Sequence, residues 1–215
     1  RLAHHDALTG LPNRVLLADR LEQALEQAKR EGTTLALLFL DLDGFKPIND
    51  ALGHEGGDRV LHQVAQRFTK TVRKADTVAR VGGDEFVVLL THLEEPKDQA
   101  ASTVARKLIQ ALQTPFEVGQ SSCTLGVSIG IVLGSASNSA KDLFRAADQA
   151  MYQAKQAGRN RCQYFDVVQD ALFKSRDLQL HRIAEGLGRR EFVLHYQPKV
   201  NLRTGQVFGA EALVR

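Results

Sequence analysis

The stretch at residues 76–90, "DTVARVGGDEFVVLL", places two short apolar runs on either side of a glycine pair. Glycine readily adopts the positive φ angles that tight turns need, so Gly82 and Gly83 between these runs predict a β-hairpin. Asp84 and Glu85 follow the glycines directly, although adjacent negative charges repel and each resists burial. The hairpin commits the chain to antiparallel strand pairing and leaves two adjacent acids to be explained.

Helical and strand patterns alternate around this hairpin up to residue 166. Apolar residues at helical spacing predict helices at 13–30, 58–73, 97–112 and 140–157. An unbroken apolar run predicts a buried strand at 33–43, and further strands are predicted at 123–134 and 161–166. Within the strand at 123–134, Gly126 and Gly130 indicate close approach of another backbone or a ligand. The order predicts an α/β (α+β) domain with a central, mostly antiparallel sheet flanked by helices.

The composition narrows the classes of function. Hydrophobic residues make up 43% and charged residues 25% of the chain, as in ordinary soluble globular proteins. A net charge of +3 without dense Lys/Arg stripes predicts no nucleic-acid partner. The longest purely apolar run, Leu35 to Leu40, is too short to span a membrane. Two cysteines are too few for a disulfide framework, so we expect a cytoplasmic domain. This expectation also covers a domain on the cytoplasmic side of a membrane-anchored protein.

The chain begins and ends in mid-pattern, which suggests a piece of a longer protein. We expect one domain over residues 1–166 and a charged, weakly amphipathic linker helix over residues 167–190. Residues 191–215 resemble two strands around a "TG" turn.

Asp41 and Asp43 end the predicted buried strand two residues apart, so their side chains point the same way. If the hairpin strand neighbours this one, Asp84 or Glu85 comes within reach of the same metal ion. Such hard oxygen ligands suit Mg²⁺ or Mn²⁺ held together with substrate phosphates. The alternative is an ordinary strand-to-loop exit, where aspartate is common.

Residues 46–58, "KPINDALGHEGGD", are predicted to form a glycine-containing loop. Such a loop can approach a nucleotide closely, and Asn49 or Asp58 can bind the edge of a guanine. Lys46 and His54 lie in the same stretch. The alternative for Asp58 is a helix N-cap.

Lys155 and Arg159 are spaced i, i+4 at the end of a predicted helix, so they are expected to share a face. Together they suit a triphosphate, because ammonium and guanidinium groups both bind phosphate. The alternative is a pair of cations that stabilise the negative end of a helix.

Taken together, five segments resemble the GGDEF family of diguanylate cyclases. In order they are "DALTGLPNR", "DLDGFKPINDALGHEGGD", "RVGGDEF", "SIGI" and "DQAMYQAKQAGRNR", and the resemblance covers about Asp6 to Phe165. The resemblance implies a fold related to nucleotide cyclases and polymerase palms. It also implies condensation of two GTP molecules into cyclic di-GMP with release of pyrophosphate. Each domain would hold one GTP, so catalysis would require a homodimer.

The resemblance also implies roles for individual residues. The ligands of Mg²⁺ or Mn²⁺ would be Asp41, the Leu42 carbonyl, Asp84 and Glu85. Glu85 would also help to activate the attacking 3′-hydroxyl, and Lys46 would act with Asp84 and Glu85 in catalysis. Guanine would be bound by Asn49 and Asp58, with His54 in the same substrate site. Phosphates would be held by Lys46, Lys155, Arg159 and the backbone amides of Gly82 and Gly83.

The tetrapeptide "RKAD" at 73–76 stands at the register of this family's inhibitory product site, with five residues between Asp76 and Gly82. The resemblance implies that Arg73 and Asp76 bind cyclic di-GMP and restrain turnover. The alternative is an exposed ion pair at a helix end, which contributes little.

The segments "EFVLHYQPKV" and "TGQVFGAEALVR" resemble the opening of an EAL phosphodiesterase domain. In that family Glu211 would be a metal ligand, and Gln197 and Arg215 would contact the dinucleotide. Most of such a domain lies beyond this chain, so no hydrolytic activity is expected. The parent protein is expected to carry an adjacent EAL domain and an upstream sensor.

Three functions remain open on the sequence. The chain is an active cyclase, a GTP-binding module that regulates a neighbouring phosphodiesterase, or a cyclic di-GMP receptor that acts through Arg73 and Asp76.

Overall fold

The computed structural model describes residues 3–135, 138–166, 183 and 185–214. The chain divides into two compact units, Arg1–Asp166 and Val167–Arg215. The helices described in the first unit are α1 (Arg14–Glu31), α2 (Phe45–Thr71), α3 (Lys97–Gln113) and α4 (Ala140–Gln156). Its described strands are β1 (Leu35–Asp43), β2 (Thr77–Gly82), β3 (Glu85–Leu90), β4 (Phe116–Val118), β5 (Ser121–Cys123), β6 (Gly126–Gly134) and β7 (Cys162–Tyr164).

A five-stranded sheet in the order β2-β3-β1-β6-β7 forms the centre of the described first unit. All neighbouring pairs are antiparallel except β6 and β7, which are parallel. The predicted fold class, a mostly antiparallel central sheet flanked by helices, is therefore confirmed.

Strand β1 lies at the middle of this sheet and is buried on both faces. Its even-numbered residues from Ala36 to Leu42 pack towards α2 and α3, whereas Leu35, Leu37 and Phe39 pack towards α1 and α4. Because side chains alternate along a strand, Asp41 and Asp43 continue the row that faces α1 and α4. Uninterrupted burial explains why the strand is apolar at nearly every position up to its last three residues.

Two boundaries predicted from the sequence are wrong. Residues 46–58, expected to form a loop, belong to helix α2, which is interrupted at Gly53 with φ 72° and ψ 169°. The three glycines within 53–57 are poor helix formers and concealed the helical residues on both sides of this kink. Cys123 ends a separate short hairpin of β4 and β5, so the long strand begins at Gly126.

Gly130 is the point where α4 approaches the sheet most closely. A Cβ atom there would overlap the Ala147 carbonyl oxygen and the Met151 backbone nitrogen. This confirms the expected approach of another backbone at Gly130. At Gly126 the neighbours are side chains instead, with Asp43 Oδ2 and Asn160 Cβ at 3.2 and 3.3 Å from such a Cβ.

Arg80 fastens the β2–β3 hairpin to the turn that precedes α1. Its guanidinium donates to the Asp6 carboxylate at 2.9 and 3.2 Å and to the Gly83 carbonyl at 2.9 and 2.7 Å. Asp6 also accepts from the Thr9 amide at 2.8 Å and the Thr9 hydroxyl at 2.6 Å. Burial alone would raise the pKa of Asp6, but the bonds from Thr9 and Arg80 outweigh it and hold that pKa below its usual value.

The second unit contains β8 (Leu194–Val200) and β9 (Val207–Val214), which pair antiparallel. Gln197 and Glu211 are direct cross-strand neighbours, and Lys199 Nζ lies 3.5 Å from a Glu211 carboxylate oxygen. The predicted linker helix lies largely outside the described residues, although residues 185–188 are helical. Arg215 also lies outside them. No helix in the described ranges combines the length and apolar content needed to cross a membrane.

We expect Gly130→Ala to lower the free energy of unfolding by about 3 kcal/mol or more, because the new methyl group meets backbone atoms that cannot rotate away. The matched control is Gly134→Ala on the same strand, where the methyl meets the Leu35 and Leu143 side-chain ends and the loss is about 1 kcal/mol. Urea unfolding of both variants checks this, and equal losses would contradict the close packing of α4 on Gly130.

We expect Asp6→Asn to cost about 2 kcal/mol at neutral pH, since it removes the charge from the hydrogen bonds of Arg80. The folded-state pKa of Asp6 is lowered, so this contribution is present above about pH 4 and disappears as the pH falls through that lowered pKa. The control is Asp19→Asn on the exposed face of α1, with an expected cost under about 0.5 kcal/mol. Chemical unfolding at several pH values measures the difference, and a cost for Asp6→Asn that does not change with pH would be inconsistent with this assignment.

Candidate active site

The end of β1 brings together the acids that the sequence singled out. Asp41 stands directly opposite Glu85 on β3 and opposite Ser128 on β6. Residues paired in this way across an antiparallel sheet project from the same face. Asp41 is 9% exposed, and Glu85 is half-buried.

Asp84 joins this group through the hairpin turn. Gly83, with φ 32°, and Asp84 connect the paired residues Gly82 and Glu85. The backbone amide of Leu42 donates to the Asp84 carbonyl at 3.3 Å, so the turn is attached to the end of β1. The Leu42 side chain meanwhile stays in the core, 1% exposed.

Lys155 on α4 reaches the same place from the helical layer. Its Nζ atom lies 2.7 Å from an Asp41 carboxylate oxygen, and the two side chains are 29% and 12% exposed. The structure thus pairs a predicted phosphate-binding cation with a predicted metal ligand. The sequence predicts phosphate as the partner of Lys155 and does not predict its ion pair with Asp41.

Asp43 fixes the backbone beyond α4 to the sheet. Its carboxylate accepts from the Ser128 hydroxyl at 2.8 Å and from the Asn160 amide at 2.9 Å. The helix ends in a Schellman motif, in which the Gly158 and Arg159 amides donate to the Lys155 and Ala154 carbonyls. Gly158 has φ 116°, which favours glycine at this position.

The expected shared helix face of Lys155 and Arg159 is wrong. Helix α4 ends at Gln156, and Arg159 follows in the left-handed region with φ 57°. Arg159 is exposed, and its direction is set by the turn rather than by helical spacing.

The carboxylates at this site repel one another. Burial raises the pKa of Asp41, Asp84 and Asp43 raise it further, and Lys155 opposes the rise without cancelling it. Burial also raises the pKa of Glu85, and the charges of Asp41, Asp148 and Asp84 add to the effect. The site therefore favours the approach of further positive charge.

These donors suit a hard divalent cation by their chemistry, because they are oxygen ligands with unneutralised negative charge. In the described ranges, however, no three His, Cys, Asp or Glu side chains are grouped closely enough to hold a metal ion. Lys155 instead occupies one oxygen of Asp41.

Glu85 also faces an open cleft of about 590 Å³ between α1 and α4. Phe39 and Phe144 provide apolar walls, and Arg14 and Asp148 lie on its two helical sides. Asp148 was not predicted as a site residue. Its position on the face of α4 next to Phe144 and Lys155 was the available signal.

The predicted guanine-binding residues lie on the other layer, at the kink of α2. Asn49 is half-buried, and its side-chain oxygen occupies the space that a Cβ at Gly57 would take. Asp58 is exposed and directly follows this glycine in the chain. Lys46 and His54 are also exposed, one on each side of the kink. The kink thus brings Asn49 next to the backbone that carries Asp58. Only a residue without a side chain fits at Gly57, a requirement that the sequence pattern did not reveal.

Arg73 and Asp76 lie away from these groups, where α2 passes into β2. The Asp76 carboxylate accepts from the Arg73 amide at 3.0 Å and from the Thr91 amide at 3.4 Å. The Arg73 guanidinium lies 3.5 Å from Glu94, and both side chains are more than 70% exposed. Asp76 thus organises the backbone, whereas Arg73 is held by a surface ion pair.

Known proteins share this arrangement of strands and helices. The family described as "Diguanylate cyclase, GGDEF domain" matches residues 3–161. The bifunctional diguanylate cyclase/cyclic di-GMP phosphodiesterase MucR of Pseudomonas aeruginosa is 46% identical over 216 residues, which is all of this chain and 31% of MucR. The chain spans between 26% and 34% of the length of the curated relatives it matches.

Two solved structures extend the comparison. A mutant of YfiN (TpbB) from Pseudomonas aeruginosa that comprises only the GGDEF domain is 39% identical, with a TM-score of 0.75, over 80% of this chain and 99% of that one. The GGDEF domain of DgcB from Caulobacter crescentus, in complex with c-di-GMP, is 29% identical, with a TM-score of 0.71, over 77% of this chain and 95% of that one. The chain therefore belongs to the GGDEF family of diguanylate cyclase domains.

Proposed function

We propose that this chain is an active diguanylate cyclase that condenses two GTP molecules into cyclic di-GMP and two pyrophosphates. The observation that carries the proposal is the convergence of Asp41, Asp84 and Glu85 at one end of the sheet, with Lys155 at 2.7 Å from Asp41. Burial, and to a smaller extent the neighbouring carboxylates, raise the pKa values of Asp41 and Glu85 there. Such a surplus of carboxylates suits chemistry on a metal-bound triphosphate.

The two layers of the domain divide the substrate between them. Asn49 and Asp58 at the α2 kink would bind guanine, with His54 beside them. Lys46 at the start of α2 and the Gly82–Gly83 amides would contact the phosphates. Lys155 lies beside a carboxylate of the acid group, and its ammonium would neutralise phosphate at that point. Arg159 extends from the turn that Asp43 holds against β1.

Asp41, the Leu42 carbonyl, Asp84 and Glu85 would hold Mg²⁺ or Mn²⁺. When bound, the metal supplies Lewis-acid stabilisation of phosphate charge and lowers the pKa of a coordinated hydroxyl. Glu85 would also stand beside the 3′-hydroxyl as the candidate that accepts its proton.

The product contains two guanosines, and each domain would hold one GTP. Two chains must therefore face each other, at least transiently, with their acid groups opposed. The like charges at the two sites repel, so both substrates and their cations are needed before the chains can approach closely.

The second unit is proposed to be the opening of an EAL phosphodiesterase domain, as in the two-part name of MucR. Gln197 and Glu211 project as neighbours from one face of β8–β9, where they would meet dinucleotide and metal once a full domain is present. A two-stranded sheet whose side chains are nearly all exposed cannot form a complete active site. Hydrolysis of cyclic di-GMP is therefore not expected of this chain, and the parent protein would add the rest of that domain and an upstream sensor.

A second candidate function is a regulatory module that binds GTP or cyclic di-GMP without turnover. The observation in its favour is the ion pair between Lys155 and Asp41, together with the lack of a three-acid metal group in the described part of the chain. The two functions separate in one assay with GTP and Mg²⁺ or Mn²⁺. A cyclase forms cyclic di-GMP and pyrophosphate, whereas the module binds GTP and forms neither.

We expect Glu85→Gln to lower the rate of cyclic di-GMP formation by about 100-fold or more, because the amide neither accepts the proton nor carries the charge of a metal ligand. Glu22→Gln is the matched control, since Glu22 lines the same cleft but belongs to α1 and is not among the proposed ligands. Its rate should equal that of the parent chain. Product formation is followed by chromatography, with thermal unfolding to verify the fold, and full activity of Glu85→Gln would remove Glu85 from the mechanism.

We expect Arg73→Ala to raise the inhibition constant of cyclic di-GMP by about ten-fold or more while the initial rate stays unchanged, because one charge-assisted phosphate contact is lost. Lys70→Ala, an exposed cation in the last turn of α2, serves as the control and should leave both values unchanged. Initial rates measured over a series of added product give the constant. An inhibition constant unaffected by Arg73→Ala would rule out this residue as a product ligand.

A further inference from the structure

Arg73 lies between two clefts of different charge. One, of about 330 Å³, is bordered by three carboxylates, Asp76, Glu94 and Glu95, and by the cation of Lys107. The other has a similar volume and is bordered by Arg20 and Lys74, with Asp76 as its acid. Arg73 and Asp76 line both. The Arg73 guanidinium can therefore pair with a carboxylate of the first cleft or bind an anion in the second, more basic cleft.

In this structure the Arg73 guanidinium is paired with a carboxylate of the more acidic cleft. Glu94 Oε1 lies 3.5 Å from the guanidinium, with both side chains largely in solvent. The adjacent Glu95 is engaged elsewhere, 3.0 Å from Lys97. Asp76 has both carboxylate oxygens on backbone amides, so it does not compete for the guanidinium with comparable strength.

We infer that Glu94 is a tethered anion that competes with the phosphates of a cyclic dinucleotide for Arg73, and so sets the affinity of the product site. The inference rests on the product site given under the proposed function. A phosphate that binds Arg73 must displace the Glu94 carboxylate, and it also meets the repulsion of that carboxylate at short range. Both effects weaken binding in the same direction.

The size of the effect follows from the exposure of the pair. An exposed ion pair corresponds to about a two- to five-fold change in an equilibrium constant. Salt screens such a pair, so the effect should shrink as the ionic strength rises above about 0.15 M. Glu94 would then act as a moderate adjustment of product inhibition rather than as an on–off switch.

The test is calorimetric titration of the full chain with cyclic di-GMP for the parent and for Glu94→Gln, Glu95→Gln and Arg73→Ala. Glu94→Gln keeps the shape of the side chain and removes its charge, and it should tighten binding about three- to five-fold at low salt. Glu95→Gln makes the same charge change one residue away, without freeing Arg73, and should tighten binding less. The gain of Glu94→Gln should disappear when it is combined with Arg73→Ala.

Two results would overturn the inference, and they can be told apart. If the parent binds the dinucleotide through Arg73 but Glu94→Gln binds no more tightly than Glu95→Gln, Glu94 does not compete, and the product site itself stands. If neither the parent nor Glu94→Gln binds at all, the proposed product site fails and the role of Glu94 fails with it.

Discussion

The 2.7 Å ion pair between Lys155 and Asp41 is the contact on which the arrangement of the site depends. It joins the last buried positions of β1 to the last turn of α4, where Asp41 and Glu85 already stand opposite each other. Gly130 lets α4 lie close enough to the sheet for this reach, and Asp43 holds the following turn through the Asn160 amide. The apolar side chains along β1 therefore end in a cluster of charged residues. The position of its cation, Lys155, depends on how α4 packs against Gly130.

Much of this could be predicted from the sequence, because the strongest signals were periodic or chemically unusual. The apolar run of β1, the glycine pair of the hairpin and the amphipathic pattern of α4 fixed the sheet and the helices around it. The acids at 41, 84 and 85 were recognised because charges that interrupt buried strands need a reason. What the sequence could not show depends on three-dimensional contacts. The helical residues before Gly53 were not predicted because glycines follow them closely in the sequence. The need for glycine at position 57 becomes clear only from the structure, where the Asn49 side chain packs against it.

Lys155 and Arg159 illustrate the same limit. Their spacing suggested one helix face, but the Schellman turn at Gly158 ends the helix between them and directs Arg159 independently. Helical spacing holds only as far as the helix does, and its end depends on a local glycine conformation. Likewise, the bond from Arg80 to Asp6 could not be read from a pattern because the two residues are 74 positions apart in the chain.

The β2–β3 hairpin connects the acid group with the proposed product site. Its turn carries Asp84, Glu85 begins β3 directly after the turn, and the open end of the hairpin is closed by the bond from the Thr91 amide to Asp76. The two ends are about 20 Å apart, given six residues in each strand. The hairpin is therefore one route by which a ligand at Arg73 can affect turnover.

The most direct test of the central claim is the initial rate of cyclic di-GMP formation measured over a wide range of chain concentration, with saturating GTP and Mg²⁺ or Mn²⁺. If two acid groups on two chains must face each other, the rate rises with the square of the concentration while most chains are monomeric. Product formed in direct proportion to concentration while the chains are monomeric would contradict a reaction between two chains. Bound GTP with no product at any concentration would show that the acids at the end of β1 form a binding site and not a cyclase.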